Sequence, residues 1–347
     1  MTIFGISEDA AIATLLAAIL SSILALVMAV INWRTQKNIN ATSAKQEEEL
    51  ERLKAELSAK QTIHDARISY EFDARKKLYD EIEPLFFLLF DAVENSYYRI
   101  ASLVRTEREG NLGLSDDDWL AYDGYYLRST IYKIFLPLSI YRLIQNSATF
   151  VDIHLDSQVR LRYFLLKISY YIMTDDFEFA RLEPELAYDP NHQNWESLSE
   201  QDPGQYYRQA LVIGHLDRLI DAFIVFENGS FRPLNYGEFE NKYKHDQQFK
   251  KEIICAKELL FKFGFRTRPV LARALIAHAY TMRLLLYTYA RTTDQHDLDS
   301  ALARFVSSNE AKEDLCFDAE WYHTNSRCIF KYLSERITWI NPKDYDL

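Results

Sequence analysis

The sequence predicts an all-α protein with a single N-terminal transmembrane helix, a short helical coiled-coil stalk and a multi-helix cytoplasmic domain. Three observations lead there. Residues 10–33 carry no charged side chain, and at about 1.5 Å per residue a helix of that length reaches about 36 Å, enough to cross a hydrocarbon core of roughly 30 Å. Only 9 Gly and 8 Pro punctuate 347 residues, too few turn formers for a fold of many short strands. Beyond the stalk, apolar residues recur at helical spacing, the pattern of helices with one face in a core.

Composition narrows the function classes. Hydrophobic residues make up 48% of the chain and aromatics 14%, which supplies a sizeable core. Cys255, Cys316 and Cys328 lie far apart, with no C-x-x-C pair and no histidine at ligand spacing beside them. They predict neither a disulfide framework nor a metal site, and no cofactor is expected. The net charge of −11 argues against indiscriminate nucleic-acid binding, although a whole-chain sum can hide a local basic region.

The membrane segment, residues 1–34, has Glu8 and Asp9 but no Lys or Arg ahead of its apolar run, unlike a cleavable signal peptide with its positive start. Arg34, Lys37 and Lys45 follow the run. The positive-inside tendency then places the short N-terminus outside a bacterial inner membrane and the rest in the cytoplasm. On that side the N-x-S/T triplets at Asn40 and Asn228 carry no glycosylation meaning. Ala11, Ala18 and Ala25 recur every seventh residue beside Ser22 and Ala29, a stripe of small residues that lets membrane helices approach closely. The expectation is a homo-oligomer. In it Ser21 and Ser22 are candidates to line a pore, with Glu8 and Asp9 as an acidic ring at its outer mouth.

The stalk, residues 35–69, places Leu50, Leu53 and Leu57 at 3-4 spacing, with Glu48 and Arg52, and Glu56 and Lys60, as i,i+4 pairs. That is the pattern of a short parallel coiled coil.

The domain, residues 70–347, opens with Phe72, Tyr79, Ile82 and Phe86 at helical spacing, with Pro84 as an expected kink. Ser115 ahead of three aspartates predicts a helix start, and the helix is expected to run to about residue 145. A helix over 152–173 follows, then an acidic excursion over 175–202 and a helix over 205–226 stopped by Asn228-Gly229-Ser230. The segment 242–291 is the most informative. It holds eleven Lys and Arg against three acids, with tyrosines and phenylalanines interleaved. Helices over 237–263 and 269–291 are expected to pair antiparallel across residues 264–268, Pro269 suiting a first turn. Two further helices, over 298–306 and 312–339, close the chain.

Two chemistries fit the basic segment. Lys250, Lys251, Lys257, Arg266, Arg268, Arg273 and Arg283 can bind phosphates while Tyr280 and Tyr287 stack on bases, a combination suited to a nucleotide or a short single-stranded oligonucleotide. Alternatively, Arg273 and His278 stand at R-x4-H spacing, which resembles the Arg/His motif of HEPN ribonucleases. That resemblance implies a general base or acid and a phosphate-steadying cation in one cleft. No Walker loop, HExxH pair or nucleophile elbow occurs, so the chain is not expected to be an enzyme, and a plain membrane scaffold is the third reading.

With span (10–33), stalk (47–60) and basic face (242–291) in place, the layout resembles the Hailong-type membrane effectors of bacterial phage defence. The resemblance is architectural. It implies a tetramer whose cytoplasmic receptor domain binds short DNA oligomers and controls a channel-like membrane helix, and a partner enzyme that makes the nucleotide signal.

Overall fold

The computed structural model describes residues 8–112, 120–148, 152–186, 209–290 and 295–338. The Glu8, Asp9 and Ala11 side chains, the proposed helix start at 115–118, the acidic stretch from 187 onward and Arg291 lie outside the described residues. The chain divides into two units, Met1–Phe72 and Asp73–Leu347.

The first unit is helical. Helix α1 (Glu8–Arg108) begins here and continues past the boundary, with Pro84 inside it. Its apolar run is long and apolar enough to cross a membrane, with a mean hydropathy of 2.7. Leu15, Leu20 and Leu24 stand open, each more than three-fifths exposed, as lipid-facing side chains would. The Ser21 and Ser22 hydroxyls both donate to the Ala18 carbonyl, at 2.9 and 2.7 Å, so neither needs water for a partner. Along the stalk, Lys60 and Glu56 form the expected ion pair at 2.9 Å. Among the described residues Glu48 and Arg52 form none, and Arg67 pairs with Glu71 at 3.0 Å. Leu50, Leu53 and Leu57 are exposed along this helix.

The second unit is built around α8 (Pro269–Ala290), which begins at Pro269 as expected. From Val270 to Leu285 nearly every side chain is buried, so this mostly apolar helix is covered on all sides and serves as a central core element. It packs against α3 (Ser157–Ile172), α4 (Asp176–Arg181), α9 (Gln295–Ser307) and α11 (Ala319–Thr338). Helix α10 (Asn309–Leu315) joins the last two, so the expected closing helix over 312–339 is two helices. Helix α3 follows a short 3-10 turn at Ile153–Leu155 and starts at Asp156, whose carboxylate accepts from the Gln158 and Val159 amides. The side chain thereby satisfies two amides that the helix itself leaves unpaired.

Helix α2 (Tyr125–Ala148) contains Pro137 and packs against α3, α5 (Ile213–Ala222), α6 (Tyr236–His245) and α7 (Gln247–Leu260). Three sequence expectations are corrected by this region. The helix over 205–226 ends at Ala222 and gives way to a hairpin, β1 (Ile224–Glu227) and β2 (Ser230–Pro233), paired antiparallel with Val225 opposite Arg232. The reason is local: Asn228 and Gly229 hold φ at 52° and 82°, the two left-handed positions a tight hairpin turn demands. The helix over 237–263 is likewise two helices. Asp246 ends α6 and caps α7, accepting from the Gln248 and Phe249 amides at 2.9 and 3.1 Å. Nor do α7 and α8 form the expected antiparallel pair, because α7 packs on α5, α2 and α6 while α8 packs on α3 and its neighbours.

Candidate anion-binding cleft

The basic segment does not form one face. The buried side of α8 takes Arg273, His278 and Tyr280 into the core. Arg273 is fully buried, and its guanidinium donates to Asn325 Oδ1 at 2.6 Å, to the Phe179 and Leu182 carbonyls at 2.6 and 3.0 Å, and to the Pro184 carbonyl. Burial pushes its pKa down, and four acceptors compensate by sharing the charge. His278 lies between Ser169 Oγ, 2.8 Å from Nδ1, and Ser96 Oγ, 3.0 Å from Nε2. Complete burial lowers its pKa to about 3. The two residues of the R-x4-H pattern are thus spent on separate internal contacts. Tyr280 meets Tyr322 at 3.1 Å in the same interior. Arg268 is buried too, and its guanidinium closes the end of α7 by donating to the Glu258, Leu259 and Phe261 carbonyls.

The remaining candidates divide among different surfaces. Arg266 is exposed and pairs with Asp318 at 2.8 Å, and Lys251 is exposed. Arg283 and Tyr287 line a cavity of about 410 Å³ beside α9, where Arg283 pairs with Glu310 at 2.5 Å and Arg304 donates to the Tyr287 hydroxyl.

Lys250 and Lys257 meet in a cleft of about 480 Å³ lined also by Tyr122, Asp123, Arg128, Tyr243, Lys244 and Ile254. Helical spacing explains why: 250, 254 and 257 fall on one stripe of α7. Helix α6 adds Tyr243 and Lys244, and the chain entering α2 adds the others. The lining holds four cations and one carboxylate.

Their pairing is uneven. Arg128 forks onto Glu240, which is not among the lining residues, at 2.8 and 3.2 Å, and Lys244 lies 3.8 Å from the same carboxylate. The Glu240 hydrogen bonds hold the arginine above its ordinary pKa. The Lys257 ammonium lies 2.6 Å from Asp123 and 3.4 Å from the centroid of the Tyr122 ring, a cation over an aromatic face. Burial pulls its pKa down, but hydrogen bonds to Asp123 and Tyr243 leave it raised overall. Asp123 is held below the usual carboxylate range by the Lys257 and Tyr243 hydrogen bonds. Lys250 has no carboxylate partner among the described residues; its ammonium stands 5.9 Å from the Tyr243 ring.

The arrangement offers convergent positive charge beside two tyrosine rings, which is chemistry for a phosphate joined to a planar group. Reading the sequence missed Tyr122, Asp123 and Arg128 as site residues. They lie more than a hundred positions before α7, and no local pattern marks them. Compared with known proteins, the chain matches no family, no curated protein and no solved structure.

Proposed function

We propose that this chain is a membrane-anchored receptor and effector whose helical domain binds an anionic nucleotide or short single-stranded oligonucleotide in the Lys250–Lys257 cleft. The carrying observation is the lining itself: Arg128, Lys244, Lys250 and Lys257 around Tyr122 and Tyr243, with Asp123 the one acid. In a protein of net charge −11, such a concentration of positive charge draws anions to one place. The bound state favours one arrangement of the receptor domains in a homo-oligomer, and the N-terminal helices respond by opening a path through the inner membrane. A role in phage defence follows from the architectural resemblance, as does a partner enzyme that makes the ligand.

The test has two arms. Fluorescence anisotropy of labelled short single-stranded DNA with the purified full chain is expected to saturate, and Lys244→Glu with Lys250→Glu to abolish binding. In cells, expression with the ligand raised or depleted is expected to depolarise the inner membrane in one of the two states. Absence of binding to every oligonucleotide and nucleotide overturns the receptor half, and absence of depolarisation under any condition overturns the effector half.

A further inference from the structure

A second and larger cavity, about 680 Å³, opens between α1, α2 and the end of the hairpin. Its walls are mainly apolar, with Leu88, Leu136, Ile140 and Leu234 among them, and the rings of Tyr125 and Tyr236 stand at its edge. Into this surface comes Lys133, half-buried and without a hydrogen bond or ion pair among the described residues. Two further facts set this lysine apart from an ordinary surface one.

The first is its neighbour. Arg99 is only 9% exposed, lies with its guanidinium carbon 4.5 Å from the centroid of the Tyr126 ring, has no carboxylate partner among the described residues, and leaves Nε without a hydrogen-bond partner. Burial first, and the Arg99 charge second, lower the Lys133 pKa. The second is what the acids nearby do. Arg232 on the rim is matched by Glu227 and Glu238, whereas Asp91, also on the rim, forms no ion pair among the described residues and stands exposed. Lys133 thus brings an ammonium without an ion pair among the described residues into a mainly apolar wall, with the exposed Asp91 the cavity's one carboxylate, and a half-buried charge of that kind gains by meeting an anion.

We infer that this groove is a binding site for a small amphipathic monoanion, an aryl or alkyl carboxylate whose acid group meets Lys133 and whose apolar body lies along Leu88, Leu136 and Ile140. The volume is within the range of small-molecule pockets, roughly 300–1,000 Å³. The apolar wall supplies burial for the body, and the lysine fixes its orientation. Its chemistry differs from the cleft of Lys250 and Lys257, where four cations and one acid surround a smaller volume, so the two sites select different ligands.

Titration calorimetry of the full chain in lipid nanodiscs, with empty nanodiscs as the blank, tests this using 4-phenylbutyrate and its uncharged counterpart 4-phenylbutanol. The acid is expected to bind saturably at one site per chain, and the alcohol at least about tenfold more weakly, the loss of one charge-assisted contact. Lys133→Met is expected to erase the difference between the two and Lys133→Arg to retain it. Equal affinity for acid and alcohol, no saturable binding of the acid, or an undiminished preference for the acid in Lys133→Met overturns the inference. The wild-type comparison stands even if the variant does not fold.

Discussion

Lys257 and Asp123 meet at 2.6 Å across the mouth of the basic cleft, with the lysine side chain 11% exposed and the aspartate 73% exposed. The buried partner is the cation and the solvent-facing partner is the anion. Under the proposed function, the carboxylate stands where a ligand phosphate would meet Lys257 and Tyr243.

Replacing this internal anion frees both donors. Asp123→Ala is expected to tighten binding of short single-stranded DNA by about three- to tenfold, the scale of a partly exposed ion pair. Anisotropy titrations of the wild type and the variant at one ionic strength check it. Unchanged or weaker binding in the variant shows that Asp123 does not compete with the ligand.

His278 predicts an acid-sensitive fold. An unfolded histidine titrates near 6.5, whereas the buried ring is held neutral down to about 3. Below about pH 6.5 the unfolded chain binds the extra proton and the folded one does not, so stability is fully present above that value and falls as the pH drops toward 3. At pH 4.5 the loss from this residue is about 2–3 kcal/mol. Urea midpoints measured from pH 7 to 4.5 are expected to fall more steeply in the wild type than in His278→Gln, in which this titration is absent.

Arg273 predicts a structural phenotype. Arg273→Met leaves the Phe179, Leu182 and Pro184 carbonyls and Asn325 without their donor, at a cost of about 3 kcal/mol or more. Denaturant unfolding measures this directly. A variant that kept full stability while losing an RNA-cleaving activity would instead revive the ribonuclease reading of Arg273 and His278.

The apolar N-terminal helix, long enough to cross a membrane, predicts a separation of insertion from assembly. Ala18→Leu with Ala25→Leu keeps the run apolar but thickens the small-residue stripe. Extraction with alkaline carbonate is expected to leave both proteins in the membrane, while cross-linking of the variant into oligomers falls by roughly fivefold. Equal cross-linking means that the stripe is not a packing face.

The residues that define elements locally were legible in the sequence. The uncharged run, Pro269 at the start of α8 and the absence of strand patterning over most of the chain each depend on a few adjacent residues. The hairpin has a local signal too: Asn228-Gly229 between Ile224–Glu227 and Ser230–Pro233 suits a tight two-residue turn, but the same residues also suit a helix stop, and the helical spacing before them favours that reading. The basic segment misled for a different reason. Its charges are distributed around helices, so consecutive Lys and Arg face different neighbours. Arg273 and His278 read as candidates for a shared cleft, yet apolar residues flank both in the sequence and both side chains are buried in α8. The cleft itself depends on Tyr122 and Arg128 meeting α6 and α7, a long-range contact that spacing in one segment cannot encode.

The most direct test of the central claim is the salt dependence of oligonucleotide binding by the full chain. Binding carried by the cleft predicts that the logarithm of the affinity falls linearly with the logarithm of salt concentration. Lys244→Gln with Lys250→Gln should flatten that slope by about 1.4, roughly 0.7 for each lysine removed from a single-stranded contact. The same slope in wild type and variant, or negligible binding at every salt concentration, contradicts the assignment of this cleft as the receptor site.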